Sequence, residues 1–313
     1  MISCVAVVRI AVAQGVGTNG LPDAESTRER GRRVRELMGL AARGGARLVL
    51  FTEAALSGYP DKRVMSSDPD RLAESDWSRL DWRVIAAERQ LTIDHAGELG
   101  LWTVVGSVHR ESESGRPFNS LYVISDRGVL EGRYDKRYLS NSESSFMFAA
   151  GDHATVISVD GMRFGCALCI EARCPEVFTE YESLGADCVL LASYSDGLAA
   201  ESLDDRRPLA HALLTEMWVA FAVPGTVPGT VASGVAAPDD RWLARGRADG
   251  IPQVVFADLD PDNRAVHPGY DSGRSWRARH LTAARSRTGR VELIGSSQPR
   301  AQRPVDGPAD DLG

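Results

Sequence analysis

"MRFGCALCIEARCPEVF", residues 162–178, brings Cys166, Cys169 and Cys174 within nine positions. Residues 162–169 read as an extended apolar run. The following segment starts a helix, with Pro175 at its first position, Glu176 in its first turn and Gly185 at its end. Val177, Phe178, Tyr181 and Leu184 mark the face that this helix buries. Cys169 therefore stands at the carboxyl end of a strand, close to a helix start, where α/β proteins commonly carry reactive groups.

Strand-length apolar runs of the same kind recur at residues 4–13, 46–52, 101–107, 120–125, 155–159, 187–193, 218–223 and 253–259. Helical periodicity lies between several of them, clearest at 23–43, where Val34, Leu37, Met38 and Ala41 share one face. Further helices are expected at about 75–98, 175–185 and 205–217. Strands alternating with helices make this an α/β protein, and the consecutive strands at 101–125 and 155–169 add hairpin-like pairs. From residue 281 the chain turns rich in Arg, Ser, Pro and Gly, so 281–313 reads as a mobile or surface-draped tail behind a domain at 1–280.

The chain has 313 residues, 43% hydrophobic and 25% charged, an ordinary soluble composition with no apolar run of about 18 residues to cross a bilayer. The apolar N-terminus carries Arg9 and no basic leader, so it reads as fold and not as a signal peptide. A net charge of −7 speaks against nucleic-acid binding and leaves small molecules as the expected ligands. Five cysteines do not suggest a disulfide framework, so the expected compartment is the reducing cytoplasm.

A cysteine attacks a carbonyl or nitrile carbon as its thiolate, and needs a base or a positive field beside it. None of the six histidines is close in sequence, and on these residues alone a buried, inert Cys169 is the ordinary reading. A rival uses the C-x-x-C spacing of Cys166 and Cys169, with Cys174, as a metal or thiol-redox site. Strand geometry opposes it, since positions an odd number apart point to opposite faces, and no second ligand pair is present.

Two further segments change the balance. In "ARLVLFTEAALSGYP" a strand ends at Glu53 and enters a Gly58-Tyr59-Pro60 turn; in "FNSLYVISDRGVLEGRYDKRYLSNSESSFMFAAGD" a strand and turn precede Lys136, with Glu143 seven residues later. In this order, and with "CIEARCPE" similar to a C-Y-D-x-R-F-P-E pattern, most of residues 4–260 resembles the nitrilase superfamily of carbon-nitrogen hydrolases.

The resemblance implies a four-layer α-β-β-α sandwich and a homodimer or larger assembly paired through the helices beside the nucleophile. It implies a catalytic set of Glu53, Lys136 and Cys169, a supporting Glu143, an oxyanion donor in the Ile170 backbone N–H, and no cofactor or metal. Tyr59, Tyr138, Tyr194 and Trp218 are candidate walls of a substrate pocket. The chain departs from the pattern at Phe51-Thr52-Glu53, where many members have F-P-E, at Tyr194-Ser195-Asp196, and at Glu216-Met217. Cys169 is followed by Ile-Glu and not by the Trp-Glu-His of true nitrilases, which favours an amide or a carbamoyl substrate over a nitrile, with a small linear amide as the leading expectation. N-carbamoyl or nitrile hydrolysis and acyl transfer to an amine are the near alternatives.

Overall fold

The computed structural model describes residues 7–17, 23–60, 75–113, 115–194, 202–261 and 276–277. Two six-stranded sheets face each other. The first has the order β12-β1-β2-β3-β4-β5, built from Gln253–Leu259, Val8–Gln14, Leu48–Leu50, Trp102–His109, Phe118–Ile124 and Leu130–Asp135. The second has the order β11-β10-β9-β8-β7-β6, built from Trp242–Arg245, Gly234–Ala236, Trp218–Ala222, Cys188–Ala192, Met162–Leu168 and Val156–Val159. Both contain three neighbouring parallel strands, β1-β2-β3 and β7-β8-β9, with antiparallel strands on either side.

Alternation along each strand sends one set of side chains between the sheets and the other outward. Ile10, Val12, Leu48, Leu50 and Val104 meet Phe164, Cys166, Leu168, Leu190 and Ala220 in the inner layer. Ala11, Ala13, Val49 and Val105 face outward, where α1 (Ala24–Arg43) supplies Val34, Leu37, Met38 and Ala41, and α2 (Trp82–Leu99) supplies Ile93 and Ala96. Behind the second sheet, Ala167, Val189 and Val219 pack against Val177, Phe178 and Tyr181 of α3 (Pro175–Ser183) and Ala212 of α4 (Leu203–Thr215). The result is the four-layer α-β-β-α sandwich. Each fully buried Val, Leu, Ile or Phe in these layers contributes roughly 1.5–3 kcal/mol.

The helix expected at 75–98 is interrupted. A short 3₁₀ turn, Trp77–Arg79, comes first, and α2 starts afresh at Trp82, because Asp81 turns its carboxylate to the Arg83 and Val84 N–H groups (both 3.1 Å). Strands β5, β10 and β11 were not expected from the sequence. β5 and β11 are half-exposed edges carrying charge, and β10 has three residues, so none shows a strong apolar run. The tail at 281–313 lies outside the described residues, as do residues 4–6 of the first expected strand.

Candidate active site

Glu53 leaves the carboxyl end of β2. Phe51 N–H still bonds Val104 O at 2.8 Å, and the chain then turns, with Ala54 at φ 55°. The turn runs so close to β3 that a Cβ at position 106 would lie 2.3 Å from Thr52 O and 2.4 Å from the Ala54 nitrogen, so Gly106 is what admits it. Lys136 follows β5, held by its N–H to Asn119 O and by Gly151 N–H to its own carbonyl, both 2.9 Å.

The two side chains meet in a fully buried cluster. Lys136 Nζ donates to Glu53 Oε1 (2.9 Å) and to Glu143 Oε1 (2.7 Å). Asn119 Nδ2 donates to Glu53 Oε1 at 2.6 Å, while Glu53 Oε2 has no hydrogen-bond partner among the described residues. Glu143, in a single π-helical turn at Glu143–Met147, also accepts from Tyr59 Oη (2.9 Å) and from the Ser140 N–H (2.8 Å). One ammonium thus holds two carboxylates, and a third N–H of Lys136 is uncommitted among the described residues.

Cys169 comes from the other sheet. β7 ends at Leu168, and Cys169, at φ 44°, opens a 3₁₀ turn spanning Cys169–Arg173. A left-handed backbone at a side chain other than glycine is strained, and such strain persists where neighbours enforce it. Here the enforcing group is Glu171. Its fully buried carboxylate accepts from the Leu168 N–H (2.7 Å), the Arg137 N–H (2.8 Å), the Tyr138 N–H (3.1 Å) and Tyr134 Oη (2.8 Å). It ties the residue before Cys169 to the two residues after Lys136.

The three sulfurs of the opening stretch go to different places. Cys166 is in the inner layer with no exposure, Cys174 packs against the outer cluster around α3, and Cys169 lines a cavity of about 210 Å³ with Ile170, Arg173, Ser193, Phe221 and Val223. Cys169 has already left the strand, so the face argument separates it from Cys166 less directly than the end of β7 does. Among the described residues, no group of three or more His, Cys, Asp or Glu is placed to hold a metal ion, and no helix is long and apolar enough to cross a membrane.

The electrostatics follow from burial. Burial pushes the Cys169 thiol up to about 11, and Glu53 adds to this, against Lys136 and a hydrogen bond from the Ser193 hydroxyl. Burial also raises Glu53 above the ordinary carboxylate range, in spite of Lys136. Glu143 is buried as well, but Lys136, the Ser140 N–H and Tyr59 outweigh burial and hold it below that range. For Lys136, burial works against the charge, and Glu53, Cys169 and Glu143 overcome it, so the ammonium persists.

The expected wall residues divide. Tyr59 reaches Glu143 and stacks on Tyr194, with ring centroids 4.0 Å apart at 15°. Tyr138 is 44% exposed and contributes its backbone N–H to Glu171. Trp218 does not join the site: it pairs in register with Cys188 at the start of β9, whereas the Cys169 end of the sheet is marked by Leu168, Ala192 and Ala222. Four residues of strand separate the two ends, roughly 13 Å. Trp218 is packed in the inner layer because its position parity points it there.

Asn119, Glu171 and Ser193 received no role from sequence. Asn119 and Glu171 lie within the motif stretches, and Ser193 stands at the end of β8 beside the end of β7, a proximity set only by the parallel register.

The profile of the carbon-nitrogen hydrolase family matches residues 6–224. A hydrolase of Mycobacterium tuberculosis is 28% identical over 250 residues, covering 73% of this chain and 82% of the relative. An (R)-stereoselective amidase of a Pseudomonas species is 27% identical over 271 residues, covering 82% and 89%. Among solved structures, an amidase from Nesterenkonia superposes with a TM-score of 0.68 at 18% identity, over 91% of this chain and 97% of that one. By the family match, which spans most of the two-sheet fold, the chain belongs to the carbon-nitrogen hydrolase family.

Proposed function

We propose that the protein hydrolyses a small linear amide through a thioester on Cys169. The observation that supports this most is the meeting, at strand ends of both sheets, of a sulfur with a buried ammonium and a buried carboxylate, one oxygen of which has no hydrogen-bond partner among the described residues. The thiol is protonated at neutral pH, so attack and proton transfer go together. The Cys169 sulfur bonds to the amide carbon while its proton passes to Glu53, and the oxyanion rests against the Lys136 ammonium and the Ile170 N–H.

Glu53 then gives that proton to the nitrogen, the C–N bond breaks, and ammonia or an amine departs. Water attacks the thioester, its proton goes to Glu53, and the sulfur leaves to be reprotonated. Glu143 fixes Lys136 between the carboxylates, and Tyr59 and Tyr194 border the acyl group. Ile-Glu after Cys169, in place of Trp-Glu-His, supports an amide over a nitrile.

The reading includes a single domain over 1–280 with 281–313 appended, a cytoplasmic setting, and a homodimer. Leu213 and Leu214 on α4 are 48% and 65% exposed, and Leu184 beside α3 is 39% exposed, which supports pairing through these helices. The decisive experiment incubates wild-type and Cys169→Ala protein with a panel of linear amides and weighs the intact chain. An acyl mass on Cys169 and loss of turnover in Cys169→Ala are expected; full turnover without Cys169, or acylation of another residue, would sink the mechanism.

A further inference from the structure

The turn that carries Glu53 at one end and Tyr59 at the other is itself held from outside the site. Arg30, on the inward face of α1, is 7% exposed. Its guanidinium donates to Ser57 O at 2.9 Å, to Leu56 O at 3.3 Å and to Thr27 Oγ1 at 3.2 Å. It lies flat against Gly58, where a Cβ would sit 2.8 Å from its Cζ. Among the described residues it contacts no carboxylate; Asp23, at the N-cap of α1, acts on it only at a distance.

A buried cation without an ion pair is costly unless its N–H groups are satisfied, so its presence calls for a reason. The carbonyls supply one. The turn winds like a stub of helix, with Ala55 N–H on Thr52 O (3.3 Å) and Gly58 N–H on Ala54 O (2.7 Å), and it ends with Leu56 O and Ser57 O pointing outward. Cations are favoured at such an end. The side opposite Arg30 is pinned to β3 by Leu56 N–H on Gly106 O (3.0 Å) and Val108 N–H on Ser57 Oγ (3.2 Å).

We propose that Arg30 is a positioning residue for Glu53 and Tyr59, its guanidinium clamping the carbonyls of the turn so that the free oxygen of Glu53 stays set for the Cys169 proton. This rests on the reading of Glu53 as the base. Around Glu53 the charged and titratable groups are Lys136, Glu143 and Cys169, with Tyr59 beyond Glu143; Arg30 acts through the backbone and not through that cluster.

The test needs no substrate. Alkylation of Cys169 by iodoacetamide forms an S–C bond, expels iodide and delivers the thiol proton to the base, and peptide mass spectrometry reads it at Cys169 alone. In full-length protein whose fold is checked by circular dichroism, Glu53→Gln is expected to slow alkylation by about tenfold or more, the loss of the proton acceptor outweighing the easier thiol ionisation that follows from removing its charge. Arg30→Met is expected to slow it by about tenfold. In the double variant the two losses should not multiply, because both act through one carboxylate.

A folded Arg30→Met that reacts within about twofold of wild type while Glu53→Gln is slow overturns the clamp alone, as does a double variant whose loss is the product of the singles. A Glu53→Gln protein at the wild-type rate overturns the base reading itself, and the clamp with it. If Arg30→Met does not fold, Arg30→Lys keeps the cation with a single point of donation; about threefold slowing is then expected, and an unchanged rate overturns the proposal.

Discussion

Glu53 and Cys169 sit on facing sheets, and the loops that carry them are held by buried charges of opposite sign. On the first sheet the holding group is the cation of Arg30 on carbonyl oxygens; on the second it is the anion of Glu171 on N–H groups. Backbone polarity accounts for the difference. The Glu53 turn presents the carbonyl end of a helical stub, while the Cys169 turn presents the N–H end of one, and each attracts the complementary charge.

The two holds also differ in reach. Arg30 fastens one layer to its own sheet, whereas Glu171 takes Leu168 from the second sheet and Arg137, Tyr138 and Tyr134 from the loop and strand of the first.

Breaking the bridging hold has the largest expected effect. Glu171→Gln keeps the shape but sets amide hydrogens against backbone N–H groups, and should lower stability by about 2–4 kcal/mol in urea unfolding. It should also lower amide turnover by about a hundredfold, since Cys169 and Lys136 lose their common anchor. A variant with wild-type turnover would show that the Cys169 turn holds itself.

A milder change sharpens the comparison on the Glu53 side. Tyr59→Phe removes one donor from Glu143 Oε1 and should cost about three- to tenfold in kcat/KM. Because that donor helps hold Glu143 low, its loss raises the carboxylate, and the acid limb of the pH profile should move to higher pH. An unmoved limb would mean that Glu143 does not govern it.

Stability at alkaline pH tests the Cys169 side. The folded chain binds the Cys169 proton more tightly than the unfolded chain, so this contribution is intact below the ordinary thiol range and is lost as pH rises through about 11. The urea midpoint of wild-type protein should fall more between about pH 8 and 11 than that of Cys169→Ala. Equal falls would place the sulfur in a wetter setting. The smallest effect belongs to Trp218→Phe: lying at the far end of β9, it should leave kcat and KM of amide hydrolysis unchanged within about twofold.

Sequence carried the layered fold well where burial was continuous. Residues 48–51, 188–192 and 218–223 are apolar throughout because both faces of those strands are covered, and they form the cores of β2, β8 and β9. It carried the edges poorly: β5 reads "LEGRYD", and its strand identity comes from pairing with β4. The grouping of Glu53, Lys136, Glu143 and Cys169 was legible through the family resemblance that the order of motifs carries, with Glu53, Lys136 and Cys169 each shortly after a strand.

The partners that shape those four were not legible. Asn119 on Glu53, Ser193 beside Cys169 and the four donors on Glu171 depend on register and loop closure between distant segments, which local periodicity does not encode. Trp218 shows the reverse failure, since an aromatic next to a site-bearing strand looks like a wall until parity and strand direction are known.

The division of the site between two sheets makes the Cys169 sulfur a clock for folding. Before the sheets dock, its reactivity toward an alkylating agent is that of an ordinary thiol in water; once Glu53 and Lys136 close over it, the rate is set by the cluster. Pulsed alkylation during refolding, read at Cys169 by peptide mass spectrometry, would therefore time the closure of the sandwich at a single native atom.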